Sequence, residues 1–251
     1  MKPIGNVLLL IALPVLLLAI WELSGRLGWV RPTLLPPPSD IFRTFLRLLL
    51  SGELFHHLGI SIWRVLQGYL AGAAAGICTG VLCGLYRRAD AALTLMLGLL
   101  RPIPVIAWVP VFILWMGIDE ASKITVIAVG SFWPVLISVV DGIRSVDGKY
   151  LEVARILEKN RYQALTKVVF PSALPSIFTG LRVGVGIAWM CVVGAELIAA
   201  SSGIGYLIMY SRELLQSDVM YVGVFSIGVT GFLIDRLLLF LERKLLKWNV
   251  R

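Results

Sequence analysis

Ile60-Ser-Ile-Trp-Arg-Val-Leu-Gln-Gly-Tyr-Leu-Ala-Gly-Ala-Ala-Ala-Gly-Ile-Cys-Thr-Gly-Val-Leu-Cys-Gly-Leu85 decides the fold class. An apolar helix needs about 20 residues to cross a hydrocarbon core roughly 30 Å thick, and this run exceeds that. Gly68, Gly72, Gly76, Gly80 and Gly84 recur every four residues within it, with Ala71 and Ala75 alongside. The spacing places small residues on one helical face, where a second helix can approach closely. Membrane helices pack in this way without a hydrophobic driving force between them.

Five further apolar runs lie outside it, at 7–23, 91–115, 124–140, 177–200 and 219–241. They are too continuous for barrel strands, which alternate over about 10 residues. Composition agrees: 58% of the chain is hydrophobic, 15% is charged, and the mean hydropathy is +0.87. Soluble domains carry about 25% charged residues, so most of this chain faces lipid or other helices. The expectation is an all-α integral membrane protein with six transmembrane helices. The first run follows Lys2 but leads into Trp21, Glu22 and Leu23 with no small-x-small cleavage site, so it reads as an uncleaved span.

The net charge of +8 marks loops rather than a nucleic-acid partner. Arg87 and Arg88 follow the second span. Arg144, Lys149, Arg155, Lys159, Arg161 and Lys167 separate the fourth from the fifth, and Arg243, Lys244, Lys247 and Arg251 form the tail. Six spans with both termini cytoplasmic place all three groups on the cytoplasmic side of the membrane. Arg26, Arg31, Arg43 and Arg47 then fall outside. Residues 39–50 account for two of them as an amphipathic interfacial helix, with Ile41, Phe42, Phe45, Leu46 and Leu49 on one stripe and Arg43 and Arg47 on another. Pro32, Pro36, Pro37 and Pro38 form an extended connector that delivers Ser39 or Asp40 as its N-cap.

The third run is interrupted by Arg101-Pro-Ile-Pro-Val-Ile-Ala-Trp-Val-Pro110. Three prolines free backbone carbonyls, which membrane proteins tolerate only within protein or beside water. Two readings stand: a path-lining break that includes Pro104, or a kink that shapes packing. Arg101 and Glu196 are candidate path residues because intramembrane charge is costly. Trp108, Trp115, Trp133 and Trp189 fit either a path or interfacial aromatic belts. Arg182, near the start of the fifth span, reads as structural. Cys78, Cys83 and Cys191 lie inside spans at no metal or disulfide spacing, and His56-His57 sits at a span start. No metal or cofactor site is expected in this chain.

Residues 141–176 are too polar to span. Residues 147–157 read as a short helix, 158–160 as a turn capped by Asn160, and 161–169 as a second helix that Phe170-Pro171 ends. Ala173-Leu174-Pro175 leads into the next span. A structured, basic loop of this kind suits docking of a cytosolic partner. The nearest approach to a phosphate-binding loop, Gly142…Gly148-Lys149-Tyr150, has the wrong glycine spacing and lacks the Ser or Thr.

The run Glu152-Val-Ala-Arg-Ile-Leu … Val-Val-Phe-Pro-Ser-Ala-Leu-Pro175 resembles the EAA loop of ABC importer permeases. Arg101 to Glu120, Leu181-Arg-Val-Gly-Val-Gly-Ile-Ala-Trp189 and Ala195-Glu-Leu-Ile-Ala-Ala-Ser-Ser-Gly-Ile-Gly-Tyr206 resemble the nitrate/sulfonate/taurine branch. The likeness runs from about Leu35 to the end. It implies a single permease domain: 1–57 as first span and outer connector, 58–251 as transport core, and 141–176 as the loop that couples to an ATPase. Glu152, Ala154, Arg155, Leu157, Glu158, Asn160, Arg161, Pro171, Leu174 and Pro175 would form the coupling surface. It also implies a homodimer with two ATPase subunits that bind the ATP and Mg, an external binding protein, and no bond chemistry in this chain. Small anions such as sulfonates, taurine, nitrate or bicarbonate would be the cargo. An ion-coupled secondary transporter is the alternative; that class often carries inverted repeats and midplane acids, whereas this sequence shows no convincing repeat and few mid-span acids. The family usually has glycine where Glu158 stands, so either Glu158 takes a left-handed conformation, at about 1 kcal/mol, or the turn shifts toward Asn160.

Overall fold

The structure is a computed structural model and describes residues 4–245, with side chains described from residue 12 onward. Lys2, Lys247 and Arg251 lie outside the described residues. Among the described residues every regular element is helical: α1 Ile4–Arg26, α2 Pro38–Leu50, α3 Glu53–Leu85, α4 Arg87–Leu100, α5 Val109–Met116, α6 Glu120–Arg144, α7 Gly148–Ile156, α8 Arg161–Ala164, α9 Phe170–Ala199, α10 Ile204–Glu213 and α11 Ser217–Leu245. Four helical stretches are long and apolar enough to cross a membrane, or five if α4 and the bent segment after it count as one span. The run at 7–23 falls on α1, part of which has no described side chains.

Two compact units are distinguishable: Met1–Ile60 with Ser201–Val229, and Ser61–Ala200 with Thr230–Arg251. In the second, α6 lies between two glycine-bearing faces. The α3 stripe meets it along its length: a Cβ at Gly76 would lie 2.9 Å from the Phe132 carbonyl oxygen, and one at Gly80 would lie 2.7 Å from Val139 Cβ. On α9, Gly180 and Gly184 give the same close approach to Pro134, Ser138 and Val135. Ala73, Val135, Val139, Ile143, Val169 and Ala173 close the core between these helices.

In the first unit, α2 departs from its expected start. It begins at Pro38, so neither Ser39 nor Asp40 caps it. The Glu22 carboxylate of α1 accepts from the Ser39 backbone N–H at 3.0 Å and from its hydroxyl at 2.8 Å, doing the cap's work from another helix. The buried stripe is Ile41, Thr44 and Leu48, while Phe42 and Leu46 are exposed. Thr44 donates to Asp218 at 2.6 Å, so a tertiary bond to α11 sets the helix's rotation. On the other side of this unit, His57 accepts from the Gly203 N–H at 3.1 Å and its ring meets that of Tyr206.

The 91–115 run is not one helix. α4 ends at Leu100, a one-turn 3₁₀ segment covers Val105–Trp108, and the two parts are bent by 85°. Pro102 and Pro104 lack the N–H groups that would have continued α4. The helix expected at 161–169 also differs. Instead of ending at Phe170-Pro171, the chain widens into a π turn at Leu165–Val169, where the Phe170 N–H reaches the Leu165 carbonyl, and then runs on through α9. The extra residue in the turn accommodates the proline without stopping the helix.

Candidate functional site

The 147–175 segment is built from two capped helices. Asp147 accepts from the Lys149 N–H at 2.9 Å and starts α7. At its end, the Lys159 N–H bonds to the Ala154 carbonyl and the Glu158 N–H to the Arg155 carbonyl. This is the Schellman pattern, which needs a left-handed residue at its centre. Glu158 fills that position with φ 50°, so the turn has not moved to Asn160. Asn160 is extended and caps α8 reciprocally: its side chain accepts from the Gln163 N–H at 2.8 Å, and Gln163 accepts from the Asn160 N–H at 3.3 Å.

Ala154 is the buried foot of α7, and Leu151 packs beside it on the core. The opposite face is apolar and open. Ile156 is 79% exposed, Tyr162 75%, Leu157 61% and Val153 52%. Glu152, Arg155, Glu158 and Asn160, on the same segment, are exposed as well. Arg161 is partly committed elsewhere, its guanidinium lying 5.6 Å from the centre of the Tyr86 ring. Arg144 ties the start of the segment to the α3–α4 junction through Asp90 at 2.7 Å and the Cys83 carbonyl at 3.2 Å. Pro171, Leu174 and Pro175 lie in the first turns of α9, half-buried, and do not form part of the open patch.

A second constellation surrounds the break after α4. One open cleft of about 350 Å³ is lined by Arg101, Pro102, Ile103, Pro104, Val105, Gly130, Trp133, Pro134, Ile137 and Ile187. A neighbouring cleft of about 280 Å³ shares Arg101, Trp133 and Ile137 and adds Asp90, Thr94 and Asp141. Arg101 is exposed and, among the described residues, makes no ion pair.

A third group joins four buried side chains, Arg64, Ser61, Lys123 and Glu196, to the exposed Glu120. Arg64, 2% exposed, holds Glu196 at 2.8 Å and Glu120 at 2.6 Å, and Ser61 donates to Glu196 at 2.8 Å. Lys123 reaches Glu120 at 3.2 Å and the Ile118 carbonyl at 3.0 Å. Two cations meet two carboxylates, so no charge in this group is left uncompensated.

Comparison with known proteins shows what these parts belong to. The model of the family described as the binding-protein-dependent transport system inner membrane component matches residues 76–247. The chain belongs to that family. This permease is 48% identical to the aliphatic sulfonates transport permease protein SsuC of Bacillus subtilis, over 94% of this chain and 86% of that one. It is 35% identical to the taurine transport system permease protein TauC of Escherichia coli, over 93% and 86%. Among solved structures, an amino acid ABC transporter crystallised with histidines aligns with a TM-score of 0.64 at 16% identity, covering 80% of this chain and 98% of that one, a likeness of fold.

The break thus brings together three of the permease's expected path residues, Arg101, Pro104 and Trp133, and leaves the others apart. Trp108 stacks on Phe112 at 5.9 Å, and Trp115 meets the same ring edge-on while 68% exposed. Trp189 is buried against Gly231 of α11. Glu196 is 1% exposed and faces the protein interior because Arg64 and Ser61 draw it there. Arg182 pairs with Asp235 at 2.9 Å, in line with its structural reading. The sequence reading missed Arg64, Ser61 and Lys123. The signal was available: Arg64 is the one charged residue in the 60–85 run, and a charge in an apolar span asks for a partner.

Proposed function

We propose that this permease is the membrane subunit of an ATP-driven importer of short organic sulfonates. The similarity to permeases for aliphatic sulfonates and taurine supports the cargo. The observation that carries the coupling mechanism is the apolar patch of Val153, Ile156, Leu157 and Tyr162 on a capped, basic loop. Apolar surface on a water-facing segment is costly unless a partner covers it. The partner is a separate ATPase subunit, which binds the ATP and Mg. This chain carries no cofactor and makes or breaks no bonds.

The working assembly is two copies of the permease, two ATPase subunits and an external binding protein. Each copy has six spans with both termini cytoplasmic, and the basic loops after α3 and α6 lie on that side. ATP closes the ATPases, the loops move with them, and the path opens to the bound solute. Affinity purification from native membranes in mild detergent tests this directly. A stoichiometric P-loop subunit is expected, together with ATP-dependent uptake of radiolabelled ethanesulfonate into cells that express the full operon. A chain that repeatedly purifies alone and drives uptake from an ion gradient would overturn the reading in favour of a secondary transporter.

A further inference from the structure

We propose that Arg101 is the anion-selecting residue of the path, holding the sulfonate head while Trp133, Ile137 and Ile187 take the alkyl chain. The inference rests on the sulfonate reading above and adds a residue and a geometry to it. On that reading α4 enters the membrane at Arg87. Its 14 residues, at about 1.5 Å each, carry Arg101 roughly 20 Å into a hydrocarbon layer about 30 Å thick. An arginine at that depth is expensive, and such residues face a water-filled opening, pair with one another, or serve transport. Arg182 and Arg64 are paired with carboxylates, at 2.9 Å and 2.6 Å. Among the described residues Arg101 pairs with no carboxylate, and it lines a cleft.

The cleft's walls fit the second half of the ligand. Apart from Arg101, the 350 Å³ opening is lined only by apolar side chains and Gly130, and its volume lies in the range of small-ligand sites, about 300–1,000 Å³. The acids lie in the adjoining cleft, where Asp90 is already held by Arg144 at 2.7 Å and Asp141 is near the far end of α6. This divides the region into a cationic, apolar side and an acidic side with Arg101 between them. A planar guanidinium donates two parallel bonds to a sulfonate as it does to a carboxylate or phosphate, whereas a lysine offers only a point charge. The rigid break helps: Pro102 and Pro104 restrict the backbone that carries Arg101.

The test uses the full complex, with its ATPase and binding protein, in proteoliposomes loaded with ATP, and labelled ethanesulfonate and butanesulfonate as probes. Arg101→Ala and Arg101→Gln are expected to lower uptake about tenfold or more, while binding-protein-stimulated ATP hydrolysis stays within about twofold of wild type, since no ion pair in the fold is lost. Arg101→Lys should recover part of the uptake. Ile137→Phe should depress butanesulfonate transport more than ethanesulfonate transport, because it narrows the apolar wall and leaves the cation in place. Wild-type uptake by Arg101→Gln, or equal loss of uptake and assembled complex in all three Arg101 variants, overturns the proposal. Failure of the sulfonate reading itself would be seen earlier, as wild-type complex that imports neither sulfonate.

Discussion

Arg64 is buried to 2%, a burial that isolated charges do not survive, and its surroundings explain why it does. The guanidinium donates from different nitrogens to two carboxylates, Glu196 at 2.8 Å from α9 and Glu120 at 2.6 Å from α6. Building such a cluster is not strongly stabilising, because desolvation offsets much of the Coulomb attraction. Breaking one side is costly, at about 3–5 kcal/mol, since an uncompensated charge stays inside. Arg64→Met is therefore expected to destabilise the solubilised permease by that order in reversible mixed-micelle unfolding. Adding Glu196→Gln should restore part of the loss, because a neutral amide needs no counter-charge. Losses that add to within about 0.5 kcal/mol would show that the two side chains do not depend on each other. The candidate site was legible in sequence unevenly for the same physical reason. A lone charge in an apolar run signals that a partner exists, but the partner here lies 132 positions away on a different helix, and nothing local encodes that distance. Glu158 shows the reverse case: the two conformations open to it were legible, and the Schellman bonds of α7 decide between them.

Close helix approach runs through the second unit, and its pattern was readable while its partner was not. Five glycines at spacing four define a face on α3, but only the structure shows that α6 fills it, with Ile127, Val139 and Ile143 seated against the missing side chains. Gly76→Leu is expected to push the helices apart, because its Cβ alone would approach the Phe132 carbonyl to 2.9 Å and backbone cannot yield as a flexible side chain does. Overpacking of this kind costs about 1–3 kcal/mol. The measurement is the fraction of protein that stays monodisperse in detergent after heating. Gly98→Leu serves as the control, having open space around it, and equal behaviour of the two would remove the close-packing argument. The elements missed in sequence share one cause. The π turn at Leu165–Val169 and the start of α2 depend on bonds that local propensity does not contain. α10 lies between the apolar runs at 177–200 and 219–241, where Gly203 and Gly205 mask a ten-residue helix whose buried Ile204, Leu207 and Ser211 recur at three- and four-residue spacing.

Transport requires that work done at one place be felt at another, and α9 supplies the link within its unit. It runs 30 residues from the π turn to Ala199, about 45 Å, and carries Ala173 at the foot of the loop, Gly180 and Gly184 against α6, and Glu196 in the charge cluster. On the proposed coupling reading, displacement of the 147–169 segment would reach α6 through this close packing, and α6 also walls the cleft beside Arg101. On the same reading, the apolar patch is where that displacement would be applied. Ile156 and Val153 make little contact within the chain, at 79% and 52% exposure, so their replacement touches docking without touching folding. Val153→Asp/Ile156→Asp is expected to leave membrane insertion unchanged and thermal stability within about 0.5 kcal/mol of wild type. The ATPase subunit should be lost from the purified complex, because two carboxylates would be desolvated in an apolar interface without partners. Uptake should fall with the bound ATPase. If the doubly substituted permease retains its ATPase in full stoichiometry, the patch is not the contact, and force must enter through the basic residues around it, with Arg155 and Lys159 the next to exchange.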